Sequence, residues 1–288
     1  MMPGPTPQPR DLRVTDEMRV LLLVPAKDEA ESLPRLLAEL ASLAPQFDVL
    51  VIDDGSEDDT ARIAKQGGCT VLRHPFNLGY GAALTTGYRW ALRRGYDAVV
   101  QVDADGQHPP REIERLLGPL RQDQADVVLG SRYREEDGSR SRYGGSLWRR
   151  LAAAGIGLVA SVWMRKRITD PTSGFQALNR EALELLCHGG FPDDFPDVDV
   201  LITMHRCGLR LLEIPTPMRE RFAGVSMHGG LRVIFYFYRL FVVLMLLPVR
   251  RHSPYRKERK QQQQRLAELR ERREQAARLM AIPGGENG

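Results

Sequence analysis

YDAVVQVDADGQHPPREI, residues 96–113, is the stretch on which the fold turns. A short apolar run ends in an acidic turn, which reads as a buried strand leading into a loop. Arg111–Arg121 then continues as a helix. Upstream, RVLLLVPA (19–26), FDVLVIDD (47–54) and CTVLRH (69–74) read as three more strands, and ADVVLGS (125–131) follows as a fifth. Helical stretches lie between them. Glu29–Ala41 repeats its apolar residues at Leu33, Leu36, Leu37 and Leu40, one face of a helix. SEDDTARIAKQGG (56–68) offers Ser56 or Asp58 as the cap of a helix that stops at Gly67. Leu78–Arg94 is a helix rich in small residues. This alternation argues for an α/β fold with a mostly parallel sheet and helices on both faces. Ligands of such sheets sit beyond the carboxyl ends of the strands, where the acidic loops fall.

The rhythm changes after Tyr133. Arg134–Arg142 is charged and contains Gly and Ser, the composition of a mobile loop. Helical segments follow, then ITDPTSGFQALN (168–179), a helix over Asp197–Arg206 and the strand LRLLEIPTPMRER (209–221). Leu231–Val249 is strongly apolar, and a Gln/Arg/Glu-rich stretch follows it. The formal net charge of +4 is unevenly placed. From Arg250 to Arg278 there are 11 Lys/Arg against 4 Asp/Glu, so the rest of the chain, with 30 against 33, is slightly acidic. The basic character belongs to the tail, and no nucleic-acid partner is expected. Three cysteines without a CxxC pair argue against a disulfide framework and for a reducing, cytoplasmic setting. Residues 1–18 are Pro-rich and polar, lack the apolar core of a signal peptide, and are expected to form a disordered leader.

Three segments carry chemistry. In VDADGQHPP (102–110), Asp103 and Asp105 stand two residues apart at a strand end, and Gln107 adds an amide oxygen. Such a set suits one hard divalent cation, Mg²⁺ or Mn²⁺, bridging the phosphates of a sugar nucleotide and stabilising the departing diphosphate. An acidic turn without metal is the alternative. An EF-hand is excluded, because its glycine stands at position six of the loop and a Glu at twelve. A phosphatase nucleophile of the DxD type is expected after the first strand, not the fourth. In VIDDGSEDDT (51–60), Asp53 and Asp54 suit hydrogen bonds from a nucleobase and ribose, or an ordinary strand-to-helix turn. VPAKDEAE (24–31) lacks GxGxxG, which disfavours a nicotinamide site, and no GxxxxGK[ST] is present.

Together these residues resemble family 2 glycosyltransferases, in particular the dolichyl-phosphate mannosyltransferase-like branch. The match runs over about Arg19–Arg239 and includes VPAKDE, VIDDGSEDDT, NLGYGAAL, VDADGQHPPREI, GSRY and DPTSGFQALNRE followed by EIP. The resemblance implies an inverting, metal-dependent transferase of GT-A (Rossmann-like) fold. Its donor would be a UDP- or GDP-sugar, and its acceptor a polyprenyl phosphate or a lipid-linked or cell-envelope glycan. It also implies roles residue by residue. Pro25 and Glu29 border the nucleotide, with Asp53 or Asp54 on base or ribose, and Asp103, Asp105 and Gln107 hold metal and diphosphate. Arg132 lies near phosphate, where a planar guanidinium suits bidentate contact; a surface salt bridge is its alternative. Arg219 and Arg221 fall where donor or acceptor phosphates are bound, or simply on a surface strand. Asp199, nine residues before Gly208, is placed to deprotonate a hydroxyl acceptor. Asp197 competes for that role, either acid serves equally well as a helix cap, and an ionised phosphate acceptor needs no base. His228 stands where some GT-A enzymes place a histidine near the metal; a solvent-facing loop histidine is the alternative.

The expected organisation is a leader (1–18), the GT-A domain (19–230), an apolar or amphipathic helix (231–252) and a basic helical or disordered tail (253–288). Arg239 interrupts the apolar helix, and the uncharged run Leu240–Val249 spans only about 15 Å, half a bilayer. Arg232, Arg239 and Arg250 fall within about 20° of one another on a helical wheel. That stripe fits a helix lying in the membrane interface at the inner face, beside a membrane surface or membrane-protein partner. Burial against the domain or in a homo-oligomer is the other reading. Two further functions stand against the transferase. A non-catalytic scaffold need not keep the whole of DADGQ with Asp53, Asp54 and Arg132. A sugar-1-phosphate nucleotidyltransferase would show a glycine-rich basic loop where PAKDE stands.

Overall fold

The computed structural model describes residues 18–134, 147–187 and 198–219, with single positions at 264, 268 and 271. Arg221, His228, Asp197, the expected loop beyond Arg134, residues 1–17 of the expected leader and the segment 231–252 lie outside the described residues, as does nearly all of the tail.

Strand β1 (Val20–Ala26) is buried along its whole length. A strand with no polar side chain must be covered on both faces and paired on both edges. It pairs in parallel with β2 (Asp48–Asp53) on one side and β4 (Ala98–Gln101) on the other, and β3 (Thr70–Arg73) continues in parallel beyond β2. Strand β6 (Gln176–Asn179) runs antiparallel between β4 and β5 (Val127–Ser131), and β7 (Leu211–Pro215) runs parallel to β5. The order among the described residues is β3-β2-β1-β4-β6-β5-β7. The predicted mostly parallel sheet is present. The reversal at β6 is not anticipated, since a four-residue strand is too short to show a period.

Alternation along β1 divides the core. Leu21 and Leu23 face α3 (Tyr80–Arg94), α5 (Leu147–Met164), α6 (Arg180–Cys187) and α7 (Val198–Arg206). Val20, Leu22 and Val24 face α1 (Leu33–Leu43) and α4 (Ile113–Arg121). Successive Cβ atoms point to opposite faces, so one apolar strand serves both layers. Helix α1 buries Leu33, Leu36, Leu37 and Leu40, the residues of its predicted face. It starts at Leu33 rather than Glu29, because Pro34 suits the first turn and residues 28–30 bond to the neighbouring loop. Helix α3 ends at Gly95, whose left-handed φ of 74° lets its N–H reach the carbonyls of Ala91 and Leu92. Among the described residues no helix is long and apolar enough to cross a membrane.

The carboxyl ends of β1, β2 and β4 lie side by side. Ala26 is in register with Asp53, and the Val102 N–H donates to the Leu23 carbonyl at 3.0 Å. Successive connections leave β1 toward β2 on one edge and return to β4 on the other, so the gap between β1 and β4 is the switch point of the sheet.

The turn after β2 is locked against the chain after β3. Gly55 has φ of 68°, and a Cβ there would stand 2.6 Å from the Phe76 carbonyl carbon and 2.8 Å from the Asn77 nitrogen. Gly55→Ala therefore meets both left-handed strain and a backbone clash, and we expect a loss of about 2–4 kcal/mol in urea unfolding. Gly118→Ala, in helix α4 with open space around its Cα, is expected to be neutral or stabilising by up to about 1 kcal/mol.

Candidate active site

The loops after β1 and β2 are bonded into one floor. Asp28 has a left-handed φ of 55°, which turns its N–H onto the Ser56 hydroxyl at 2.9 Å, and its Oδ1 accepts the Glu57 N–H at 2.7 Å. The Lys27 ammonium hydrogen-bonded to it holds its carboxyl below the ordinary value. The Glu29 N–H donates to the Thr60 hydroxyl at 2.8 Å, and the Ala30 N–H to Asp58 Oδ2 at 3.0 Å. Ser56, one of the two residues expected to cap the second helix, instead serves the first loop. Asp58 does reach that helix, α2 (Thr60–Gln66), accepting the Thr60 N–H at 3.0 Å. Pro25 is buried within β1, and Glu29 is half-buried at the edge of this floor, where it accepts the Ser32 hydroxyl.

Asp53 and Asp54 have different surroundings. Asp54 Oδ1 accepts the Leu78 N–H at 2.9 Å and lies 2.7 Å from His74 Nδ1, while Oδ2 accepts the Gly79 N–H at 2.8 Å. A carboxylate only accepts, so His74 Nδ1 carries the hydrogen. The other ring nitrogen, Nε2, lies 3.0 Å from the Thr86 hydroxyl. Asp54 thus gathers the start of helix α3. Asp53 is fully buried, and its Oδ1 accepts the Ser56 N–H at 2.9 Å. Its Oδ2 is 3.0 Å from Arg73 Nε, yet it makes no aligned hydrogen bond. The distance allows ionic attraction, but the direction of the N–H does not make it a hydrogen bond. His74 was not singled out from sequence; a histidine closing an edge strand carries no local signal.

Beyond β4 the chain turns sharply at Gly106, with φ of 77°. Asp105 is buried and accepts the Gln107 N–H at 3.0 Å. Asp103 keeps 29% of its side chain exposed, and its Oδ1 accepts the Tyr80 hydroxyl at 3.0 Å. His108 Nδ1 accepts the Asp103 N–H at 2.9 Å, its Nε2 lies 3.5 Å from Asp103 Oδ2, and its ring stacks on Phe175. Asp103, Asp105 and Gln107 therefore share one turn at the switch point. Among the described residues no group of three or more His, Cys, Asp or Glu forms a metal cage. Mg²⁺-type sites that serve phosphates use one or two carboxylates and take their remaining ligands from substrate and water. The donors here fit that pattern. Gly174 adds room, since a Cβ there would stand 3.0 and 3.3 Å from the Asp103 oxygens.

The far side of the turn is a buried polar network. Arg132 binds Asp170 through Nε and Nη2, both at 2.7 Å, and its Nη2 also donates to Thr172 at 3.0 Å. Asp170 is 1% exposed, so this is a largely buried pair rather than a surface salt bridge. Glu213 accepts the N–H and hydroxyl of Thr169 at 2.9 Å and the Asp170 N–H at 2.6 Å. Ser173 ties the same loop to the Gly130 carbonyl. Asp170 and Glu213 fall in DPTSG and EIP, quoted above as motifs without roles of their own. Arg219 donates its backbone N–H to the Gln107 carbonyl at 3.0 Å, and its Nη1 to Glu39 of α1 at 2.6 Å. Asp199 is buried in the first turn of α7.

Comparisons with known proteins fit this geometry. The profile of the family described as Glycosyl transferase family 2 matches residues 22–186. Over 222 residues the chain is 36% identical to the undecaprenyl-phosphate mannosyltransferase of Micrococcus luteus, covering 74% of this chain and 89% of that protein. Over 243 residues it is 32% identical to the polyprenol monophosphomannose synthase of Mycolicibacterium smegmatis, covering 79% and 86%. Among solved structures, it is similar to the mannosyl-3-phosphoglycerate synthase of Rubrobacter xylanophilus, with a TM-score of 0.61 at 20% identity over 82% of this chain and 75% of that one. The glucosyl-3-phosphoglycerate synthase of Mycobacterium tuberculosis, solved with Mn²⁺ and UDP, superposes with a TM-score of 0.60 at 21% identity over 80% and 79%. The fold is that of these GT-A enzymes.

Glu213→Ala leaves the buried N–H groups of Thr169 and Asp170 without their acceptor. It is expected to lower unfolding stability by about 3 kcal/mol. Glu213→Gln keeps an oxygen for them and should lose less, by the same measurement.

Proposed function

The chain belongs to glycosyl transferase family 2 and is a glycosyltransferase, and on that premise we propose that it moves a hexose from a UDP- or GDP-sugar onto polyprenyl phosphate at a membrane surface. The observation that carries this reading is the turn holding Asp103 and Asp105 at the switch point, in a chain similar to two proteins named for polyprenyl-phosphate mannosylation. A divalent cation, Mg²⁺ or Mn²⁺, would be held by Asp103 and Asp105 with Gln107 beside them, and when bound it neutralises charge on the departing diphosphate. The Mn²⁺ solved with the Mycobacterium tuberculosis enzyme is consistent with that assignment.

In this reading the nucleoside lies over the floor formed after β1 and β2, bordered by Pro25 and Glu29. Asp53 or Asp54 is assigned to base or ribose; Asp54 already accepts two backbone N–H groups, whereas one Asp53 oxygen, buried 3.0 Å from Arg73, accepts none. An oxygen of the acceptor phosphate attacks the anomeric carbon in line. The new C–O bond forms as the bond to the diphosphate oxygen breaks, and the nucleoside diphosphate leaves with that electron pair. The attacking oxygen is already ionised, so no general base is required. Asp199 would act as a base only for a hydroxyl acceptor. Arg132, held rigid by Asp170, stands on the phosphate side, and Arg219 and Arg221 are assigned to the approach of donor or acceptor phosphate. His228 is a further ligand candidate from the same resemblance.

The test is transfer from a panel of UDP- and GDP-hexoses to undecaprenyl phosphate in detergent. Transfer is expected with Mn²⁺ or Mg²⁺, is lost in EDTA, and returns when metal is added back. Asp105→Ala should lower kcat/KM by about a hundredfold or more while the protein stays folded. Full activity in chelator would remove the metal from the mechanism, and transfer to hydroxyl acceptors alone would remove the phosphate acceptor.

We place the enzyme at the inner face of the membrane through the segment 231–252 and the basic tail. Each Lys or Arg near an anionic surface contributes about 1 kcal/mol, so several together hold a protein there reversibly. Vesicles containing anionic lipid should float the full chain, less so at high salt. Replacing Arg250, Arg251, Arg256 and Lys257 by Gln should weaken flotation. Equal binding to neutral and anionic vesicles, or none to either, favours a helix buried in the domain or in a homo-oligomer.

A further inference from the structure

Asp103 is the most exposed carboxylate of the acidic turn, and it is also held from three directions. The Tyr80 hydroxyl, from the first residue of helix α3, donates to Oδ1 at 3.0 Å. His108 faces it from the other side. Its Nδ1 accepts the Asp103 backbone N–H at 2.9 Å, so a neutral ring carries its hydrogen on Nε2, which lies 3.5 Å from Oδ2. The imidazole is 3% exposed and stacked on fully buried Phe175, with ring centroids 4.7 Å apart, so it has little freedom to turn. Gly174, in the loop before β6, closes the third side. A Cβ there would come within 3.0 and 3.3 Å of the two Asp103 oxygens and 3.1 Å of the Tyr80 hydroxyl.

These contacts differ in kind from those of Asp54 and Glu213, whose oxygens serve backbone N–H groups and thereby hold loops together. At Asp103 the polar groups facing the carboxylate oxygens are the side chains of Tyr80 and His108. A carboxylate has about four acceptor sites, and the Tyr80 hydroxyl takes one of them. The arrangement fixes where the oxygens point while leaving them capacity to bind. A ligand set whose rotamers are locked in advance loses less freedom when it binds, which is how surrounding residues raise the affinity of a metal site.

We infer that Tyr80, His108 and Gly174 are positioning residues that orient the Asp103 carboxylate for a divalent cation bound together with a nucleoside diphosphate. The inference rests on the metal reading above.

The experiment measures UDP and GDP binding by calorimetry, with Mn²⁺ and again in EDTA, to the full chain and its variants. Tyr80→Phe removes the hydroxyl and keeps the ring. His108→Asn keeps an oxygen where Nδ1 accepts the Asp103 N–H and removes Nε2. Tyr80→Phe is expected to weaken the Mn²⁺-dependent affinity about tenfold, the scale of one hydrogen bond to a charged group; His108→Asn, which removes a polar N–H 3.5 Å from Oδ2 and the ring stack behind it, is expected to weaken it by less; and both should leave the affinity in EDTA unchanged. Gly174→Ala is expected to weaken it further, because its methyl presses on both oxygens. Wild-type Mn²⁺-dependent affinity in Tyr80→Phe and His108→Asn would overturn the inference. An equal loss with and without Mn²⁺ would overturn it too, since that marks a purely structural role. If the unaltered protein binds neither nucleotide more tightly with Mn²⁺, the metal reading itself fails and the inference falls with it.

Discussion

The parallel pairing of β1 with both β2 and β4 is the constraint on which the rest of this protein depends. β1 is a strand of apolar side chains with no polar side chain to present to water, and it stays out of solvent only between two partners and two layers of helix. Once β2 and β4 flank it in parallel, their carboxyl ends must open on the same edge of the sheet. Asp53, Asp54, Asp103 and Asp105 follow those ends directly in the chain. The concentration of acid at the switch point is thus a consequence of strand direction, and the packing of Gly87 against Leu23 brings α3, with Tyr80 at its start, over the same edge.

Bringing so many carboxylates out of water requires donors, because a buried charge without them costs several kcal/mol. The donors divide the acids into two groups. Asp54, Asp170 and Glu213 are served by backbone N–H groups or a guanidinium, and each draws two distant segments together. Asp54 gathers the chain after β3, Asp170 anchors Arg132, and Glu213 shapes the loop that delivers Gly174. Asp53 and Asp103 keep acceptor capacity. The first group builds the walls in which the second is held at fixed positions.

Family membership decides between readings that the residues alone leave open. A glycine-poor PAKDE loop already argues against a nucleotidyltransferase, and the profile match over residues 22–186, with relatives named as transferases at 32–36% identity, favours a glycosyltransferase over that rival and over the non-catalytic scaffold. The solved structures, at 20–21% identity, share architecture with this chain, and its own residues carry the chemistry.

Local order could be read from the sequence because it depends on neighbours along the chain. The continuous apolar run of β1, the Leu33, Leu36, Leu37 and Leu40 stripe of α1 and the spacing of DADGQ are properties of consecutive residues, and all three strands and helices they imply are present. That Asp103, Asp105 and Gln107 would share one turn after β4 followed for the same reason. Tertiary structure alone decided the rest. The direction of β6 depends on pairing with β4 and β5, and four residues carry no sign of it. Asp53 and Asp54 are interchangeable in sequence, and they part company only because Leu78 and Gly79 reach one while Arg73 approaches the other. For Arg132 the sequence offers a phosphate contact or a surface salt bridge but not the buried partner, Asp170, that the fold brings to it across 38 residues, and nothing near Gly174 in the chain announces that its missing side chain makes room for Asp103. A carboxylate's role is set by the donors that replace its water, and here those donors come from segments that only the folded sheet brings together.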